Sequence, residues 1–255
     1  MSRRIYAFIV LLLVCLNTHA DITAANQALD RGDFDAAAKE FQRLADTGDA
    51  NAQATLGYLY YVGEGVPQSY ENAVKWYQKA AAQGNRDAQY NLAVAYAFGE
   101  GLKQDYAQAD VWYRRAAEQG HATAQYSLGL SYSYGEGVKQ DPVEAVKWFK
   151  KAAEQGYVRA QVQLASKYHT GDGVEQNYTE AVKWYRMAAD RGDPVAQYNL
   201  GSLYRAGNGV PQDYNQALRW YRLSADQGYA AAIDDRGNSL FPGNGRGRMT
   251  PIRRV

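Results

Sequence analysis

The chain has 255 residues, of which 46% are hydrophobic and 22% are charged, a balance that allows an ordinary globular core. Its formal net charge of +1 argues against a nucleic-acid-binding protein, which would carry a strongly basic surface. Its single cysteine lies near the N-terminus, which excludes a fold stabilised by internal disulfides.

The first twenty residues have the three parts of a secretory signal peptide. Arg3 and Arg4 form the basic start, residues 5–16 form the apolar run, and Ala20 is the small residue expected at the cleavage site. Lipidation of the cysteine in this run is an alternative, although a valine precedes it where a small residue is normally required. The run is too short to be a stable membrane anchor. We expect residues 1–20 to be removed and the mature protein, with no membrane span, to be periplasmic or secreted.

A fixed spacing of tryptophans organises the rest of the chain. Successive tryptophans lie 36 residues apart, at Trp76, Trp112, Trp148, Trp184 and Trp220. Such a period marks a repeat architecture, in which each unit buries its apolar face by stacking on its neighbours. The pattern therefore predicts that the tryptophans belong to the structural core.

The first half of each repeat is predicted to be one helix. Alanine, leucine and tyrosine recur at offsets of zero, four and eight, as at Ala52, Leu56 and Tyr60, which places them on one helical face. A Gly-x-Gly segment follows, and its glycines permit the positive φ angles that end a helix and reverse the chain.

The second helix of each repeat is predicted from its capping residues and its apolar stripe. The N-cap is serine, aspartate or asparagine, and the stripe continues to a terminal glycine. Each repeat is thus an antiparallel helix pair. We predict a shortened first unit, five full units and a final segment that consists of a partial cap and a disordered basic tail: 21–48; 49–84, 85–120, 121–156, 157–192 and 193–228; 229–255.

These units resemble the Sel1-like repeat, a relative of the tetratricopeptide repeat. The resemblance rests on the pattern A-x-x-x-L-G-x-x-Y-x-x-G-x-G-V followed by D-x-x-x-A-x-x-W-Y-x-x-A-A-x-x-G, which recurs through residues 49–228. It implies an all-α fold, a right-handed α/α solenoid whose concave face binds a protein or peptide. It also implies export and a role in envelope assembly, signalling or host contact.

The resemblance also suggests a hydrolase as the alternative function. One secreted subfamily is described as binding or cleaving β-lactams, but its repeats carry a cysteine pair that this chain lacks. The chain has no Ser-x-x-Lys and no His-Glu-x-x-His segment. His121 is expected to have a capping or surface role, and His169 has no histidine partner at metal-ligand spacing. We therefore predict a non-enzymatic scaffold without cofactor or metal; the alternative is a cell-wall or β-lactam-active hydrolase.

Acidic residues recur between the paired glycines of the turns. They are Glu64, Glu100, Glu136 and Asp172, and Asn208 ends the series. Stacked repeats advance on the order of 10 Å each, which is too far for two of these carboxylates to share a proton or a metal ion. The series is either a solvated edge or an acidic ridge for a basic partner.

The candidate binding residues are those that the repeat leaves free. On the face of the first helices opposite leucine and tyrosine, these positions are aromatic or apolar early in the chain and polar later. Aromatic anchors and amides of this kind fit a peptide groove, although some of them would serve equally to pack on the preceding repeat. We predict a monomer that binds its partner through Tyr58, Asn91, Phe98, Ser127, Tyr134, His169 and Asn199.

Overall fold

The computed structural model describes residues 22–229 and 231–232, and within them every regular element is an α-helix. The predicted signal peptide lies outside these residues, and so does nearly all of the predicted tail. The helices are α1 (22–30), α2 (Phe34–Asp46), α3 (Ala50–Val62), α4 (Tyr70–Ala82), α5 (Arg86–Phe98), α6 (Tyr106–Glu118), α7 (Ala122–Tyr134), α8 (Pro142–Glu154), α9 (Val158–Thr170), α10 (Tyr178–Ala189), α11 (Pro194–Ala206) and α12 (Tyr214–Asp226). The predicted fold of repeated antiparallel helix pairs, the α-solenoid class, is confirmed.

The chain divides into two compact units. The first runs to Ala124 and also includes Gly135–Lys139, whereas the second consists of Gln125–Tyr134 and the residues from Gln140 onward. In the first unit α2 packs on α3, α3 on α4, α4 on α5 and α5 on α6. In the second unit α8 packs on α9, α9 on α10, α10 on α11 and α11 on α12.

Helix ends follow the capping residues that the sequence predicts. The side chain of Ser69 accepts a hydrogen bond from the backbone N–H of Asn72 at the start of α4, and Asp105 does the same for α6. Gly99 ends α5 with a φ of 72°, in the left-handed region where a side chain would be strained. The alternation of polar caps and glycines therefore fixes where each helix begins and ends.

The core of each repeat is formed by alanines, one leucine and one ring. In the first helices the leucine is fully buried, as at Leu56 and Leu164. In the second helices the residue after each tryptophan is buried, and Tyr77 of α4 lies against Gly57 of α3. A Cβ on Gly57 would lie 2.7 Å from the Tyr77 ring, so this close approach requires a residue without a side chain.

The second glycine of each turn contacts the preceding repeat. A Cβ added to Gly101 would lie 2.3 Å from the carbonyl oxygen of Tyr70, at the first residue of α4. The same arrangement recurs at Gly173, where Pro142 is the neighbour. These glycines are therefore required for packing between repeats as well as for the turn.

Buried glutamines join successive repeats through hydrogen bonds. Gln53 of α3 donates to the carbonyl oxygen of Ala45 at 3.1 Å and accepts a bond of 2.8 Å from Gln83, which follows α4. Gln89 repeats this arrangement with Ala81 and Gln119. Each glutamine thus satisfies a helix-terminal carbonyl of one repeat and is held by the next helix.

The fourth repeat breaks this pattern. Gln161 is fully buried and donates to Ala153, but Arg191 occupies the position that is glutamine in the other full repeats. Arg191 donates to the carbonyl oxygen of Gly156 instead. The Oε1 atom of Gln161 consequently has no hydrogen-bond partner among the described residues.

Candidate partner-binding site

The tryptophans lie at the packed side of each repeat, but not equally deep. Trp148, Trp184 and Trp220 are 6%, 6% and 8% exposed, whereas Trp76 and Trp112 are half-buried. Each ring carries a basic side chain near one face, for example Lys151 with its Nζ 4.1 Å from the Trp148 ring centre. Trp76 also lines an open cavity with Tyr60 and Lys79. The tryptophans are thus packing residues, and the second unit buries them more fully.

In the first unit the structure exposes two of the predicted aromatic anchors. Tyr58 on α3 is 51% exposed, and Phe98 at the end of α5 is 70% exposed. Asn91 on α5 is half-buried. Because Tyr58 and Phe98 are so exposed, packing on the preceding repeat does not account for them.

Next to Tyr58 lies a cavity rich in amides, which we call the asparagine cavity. Its volume is about 440 Å³, within the range of small-ligand pockets. The side-chain amide of Asn85 donates a hydrogen bond of 2.9 Å to the Oδ1 of Asn51. The Oδ1 of Asn85 accepts the N-cap hydrogen bond from the backbone N–H of Ala88. The polar side chains that line it, together with Tyr58, are Asn26, Asn51, Thr55, Asn85, Asp87 and Asn91.

Tyr58 also lines a second cavity, which we call the tyrosine pocket. It has a volume of about 170 Å³ and lies between the first and second full repeats. Its floor includes Tyr77, which is buried, while Tyr58 and Tyr70 are exposed at its rim. The aromatic and charged side chains that line it are Tyr58, Tyr61, Tyr70, Tyr77, Tyr90 and Glu100.

Glu100 is the charged group of the tyrosine pocket. Its Oε2 atom is buried and accepts no hydrogen bond from any described residue. Burial, followed by the nearby negative charge of Glu100, raises the pKa of Tyr61. Burial also raises the pKa of Tyr77. The pocket thus combines phenol rings with one carboxylate.

In the second unit the predicted residues are less available. Tyr134 at the end of α7 is 67% exposed, but Ser127 is half-buried. His169 packs edge-on against Tyr178 and Tyr185, with ring centres 5.5 and 6.5 Å away. Asn199 is half-buried and donates to the carbonyl oxygen of Val195 in its own helix. Tyr134 is therefore the one predicted residue of this unit with a widely exposed ring.

His121 acts as a helix cap, as the sequence predicts. Its Nδ1 accepts a hydrogen bond of 3.1 Å from the backbone N–H of Ala124, and its ring stacks on Tyr90 with centres 4.6 Å apart. Nε2 lies 3.7 Å from a carboxylate oxygen of Asp87. Burial lowers the pKa of His121; Asp87 opposes this shift and Arg86 adds to it. The geometry requires a neutral ring with an unprotonated Nδ1.

Sequence reasoning missed Tyr61, Tyr70, Tyr90 and Glu100 as a group. Comparison of repeats offers one indication, because the position of Tyr61 holds alanine, serine, histidine and arginine in the later repeats. The sequence treats Glu100 as one member of an acidic series that is either a solvated edge or a ridge for a basic partner. In the structure Glu100 is half-buried, whereas Glu136 and Asp172 of that series are exposed. Its burial depends on rings from another repeat, which the sequence does not bring together.

Two kinds of feature are absent from residues 22–229 and 231–232. No group of three or more histidine, cysteine, aspartate or glutamate side chains there is arranged to hold a metal ion. No helix in the same residues has the length and apolar character that crossing a membrane requires.

Comparison with known proteins identifies what the repeats are similar to. The family model for the Sel1 repeat matches residues 50–85, 86–121, 122–157, 158–193 and 194–229. These boundaries lie one residue after those drawn from the sequence pattern. None of the curated proteins matches the chain.

Two solved structures are similar over most of this chain. A Sel1 repeat protein from Oxalobacter formigenes is 33% identical, with a TM-score of 0.79, over 88% of this chain and 92% of its own. A protective antigen of uropathogenic Escherichia coli, described as displaying an SLR fold, is 45% identical with a TM-score of 0.78. That match covers 80% of this chain, which spans 44% of the antigen.

Proposed function

Because the chain belongs to the Sel1 repeat family, whose members are generally non-catalytic scaffolds for protein–protein interaction, we propose that it binds a protein or peptide partner. The binding surface is the exposed face of the first helices. The observation that supports this most directly is the position of Tyr58, which lines both the asparagine cavity and the tyrosine pocket.

The two kinds of side chain on this face have different roles in the proposal. Exposed rings such as Phe98 and Tyr134 bury a large apolar area with few rotatable bonds when a partner covers them. The amides of the asparagine cavity provide donors and acceptors for the polar groups of a peptide backbone. Affinity would come mainly from the rings, and orientation from the amides.

Truncation of the exposed rings tests this surface. Phe98→Ala and Tyr134→Ala should each weaken partner binding about tenfold or more, since an anchor residue at an interface contributes on the order of 2 kcal/mol. Their melting temperatures should stay close to that of the parent, because both rings are exposed. The measurement is affinity capture from envelope and host extracts, read by mass spectrometry, followed by titration of each captured protein.

Matched controls come from exposed apolar residues of the second helices. Val111 and Leu223 are 42% and 40% exposed, so Val111→Ala and Leu223→Ala remove apolar area elsewhere. The proposal predicts normal capture by both controls. Equal binding by the parent, Phe98→Ala and Tyr134→Ala would show that the partner docks elsewhere.

We propose in addition that the protein is exported and acts in envelope assembly, signalling or host contact. The support is the signal-peptide pattern of residues 1–20. Cell fractionation and mass measurement of the mature chain test it: a periplasmic or secreted protein should begin at Asp21. Recovery of the full-length chain from the cytoplasm would contradict export.

A further inference from the structure

The tyrosine pocket is chemically suited to a cation. Aromatic faces attract positive charge, and here the Tyr61 and Tyr70 rings meet at a tilt, with centres 5.3 Å apart. Burial and the neighbouring carboxylate hold the Tyr61 hydroxyl in its neutral, protonated form. A volume of about 170 Å³ has room for an ammonium group and the methylenes that carry it.

Glu100 adds a carboxylate to these walls. Its buried Oε2 has no hydrogen-bond partner among the described residues. A buried carboxylate oxygen without a donor is unfavourable, and a charged N–H donor is among the strongest groups that can satisfy it. An anion or a plain apolar group entering the pocket would leave the carboxylate unsatisfied.

The fourth repeat shows how this chain satisfies the same acidic position elsewhere. Asp172 lies 72 residues after Glu100, at the same place in the turn, and the Nζ of Lys167 lies 2.5 Å from its Oδ2. Lys167 is buried and corresponds to Ala95, which lines the tyrosine pocket. The second repeat therefore has the carboxylate but a methyl group where the fourth repeat has its own lysine.

We propose that the tyrosine pocket binds the ammonium group of a lysine side chain that a partner polypeptide presents. The lysine ammonium bonds to Glu100, and its methylenes pack between Tyr58, Tyr61 and Tyr70. This assignment rests on the proposed binding function and specifies the chemistry of the partner. It also explains why an acidic position that is paired in the fourth repeat is left open in the second.

Small lysine analogues test the pocket directly. The probes are Nα-acetyl-lysine amide, its Nε-acetylated form and Nα-acetyl-norleucine amide, titrated into the mature protein and followed by NMR of the tyrosine rings. Only the charged probe should change the NMR chemical shifts of the tyrosine rings in the tyrosine pocket. Equal binding of the neutral probes would overturn the proposal, because it would show a purely apolar pocket.

A further arm distinguishes a polypeptide lysine from a free quaternary ammonium compound. Tetramethylammonium lacks the N–H donors that Glu100 requires and the methylenes that the rings contact, so it should bind more weakly than the lysine amide. Tighter binding of tetramethylammonium would overturn the assignment to a lysine side chain.

Two variants change the carboxylate and the space in front of it. Glu100→Gln keeps the shape and removes the charge, and it should lower the affinity for Nα-acetyl-lysine amide about tenfold or more. Ala95→Lys copies the fourth repeat, so that its own ammonium occupies Glu100 and abolishes probe binding. Circular dichroism checks that each variant is folded; should Ala95→Lys unfold, Glu100→Gln alone decides the outcome.

The matched control is Asp172→Asn in the second unit, which removes an acidic residue from the same turn position and should leave probe binding unchanged. Parent-like binding by Glu100→Gln would overturn the proposal. If Glu100→Gln captures the partner normally while Phe98→Ala does not, the lysine assignment fails and the binding function stands. If the lysine probe binds but no partner is captured, the pocket stands and the wider function fails.

Discussion

The two units of the chain use one repeat backbone with different side chains at the same positions. In the first unit, Tyr61 and Glu100 line the tyrosine pocket. The half-buried Trp76 of the same unit lines the open cavity that it shares with Tyr60 and Lys79. In the second, His169 stands at the position of Tyr61 and packs against Tyr185, whose pKa burial raises to about 12.

The hydrogen bonds of the buried glutamines are more complete in the first unit than in the second. The first unit completes its glutamine bonds at Gln53 and Gln89, whereas the second leaves the Oε1 of Gln161 unpaired among the described residues. The first unit therefore has complete glutamine hydrogen bonds but an open pocket, whereas the second fills the corresponding position with its own side chains but leaves one glutamine oxygen unpaired among the described residues. The repeat dictates backbone and core, and the substitutions at a few positions decide whether a repeat is closed by its own side chains or left open for a partner.

The largest expected effect tests the difference in tryptophan burial. Trp148→Ala should lower the free energy of unfolding by about 3–5 kcal/mol, as removal of a fully buried large ring does. Trp76→Ala should lower it clearly less, because that ring is half-buried beside an open cavity. Denaturant unfolding followed by circular dichroism measures both.

Trp148→Phe is the control for the shape of the site. The Nε1 of Trp148 is buried and has no hydrogen-bond partner among the described residues, so the loss of its N–H removes an unsatisfied donor. This variant should be more stable than Trp148→Ala. Equal losses at Trp76 and Trp148 would show that the two units do not differ in packing at this position.

An intermediate effect is expected from repair of the glutamine pattern. Arg191→Gln restores the residue that donates to the buried glutamine in other repeats, so the Oε1 of Gln161 gains its missing partner. Stability should rise by at most about 1 kcal/mol, the usual net value of such a bond, because the substitution also removes the exposed bond from Arg191 to the Gly156 carbonyl. The midpoint of thermal unfolding measures the gain.

Arg191→Ala separates repair from mere loss of the arginine. It removes the same bond to the Gly156 carbonyl without supplying a donor for Gln161. It should be no more stable than the parent. If Arg191→Gln and Arg191→Ala have the same melting temperature, the unpaired Oε1 of Gln161 is not a source of instability.

The smallest effect concerns the pH dependence of the first unit. The pKa of His121 is lower in the folded state than its unfolded value of about 6.5, because burial favours the neutral ring. Its contribution to stability is therefore fully present above about pH 6.5 and is lost as the pH falls below that value. His121→Asn, which copies the cap at Asn85, should flatten the melting temperature between about pH 5 and pH 7.

The stability of His121→Asn at pH 7.5 should stay within about 1 kcal/mol of the parent, because asparagine is also a good N-cap. His169→Asn is the control, since His169 caps no helix and its removal should leave the pH slope in place. A slope unchanged by His121→Asn would mean that other groups cause the pH dependence.

Much of this molecule is readable from local patterns. The caps at Ser69 and Asp105, the helix-ending glycine at Gly99 and the buried leucine at Leu56 all follow from residue type and spacing. Local rules suffice there because each of these contacts joins residues of the same or the adjacent helix. The sequence does not decide whether Phe98 and Tyr134 are exposed, because a helix position that the repeat leaves free can either face solvent or contact a neighbouring repeat.

By itself the sequence determined the helix pairs, their period and the family, because those depend on backbone geometry that every repeat shares. Only the tertiary structure decided that Tyr61 and Tyr70 of one repeat meet Tyr90 and Glu100 of the next around a cavity. It alone also separated Glu100 from Asp172, which the sequence had placed in one acidic series. The physical reason is that burial and pairing depend on side chains from two repeats at once, and periodicity within one repeat carries no information about how those side chains meet.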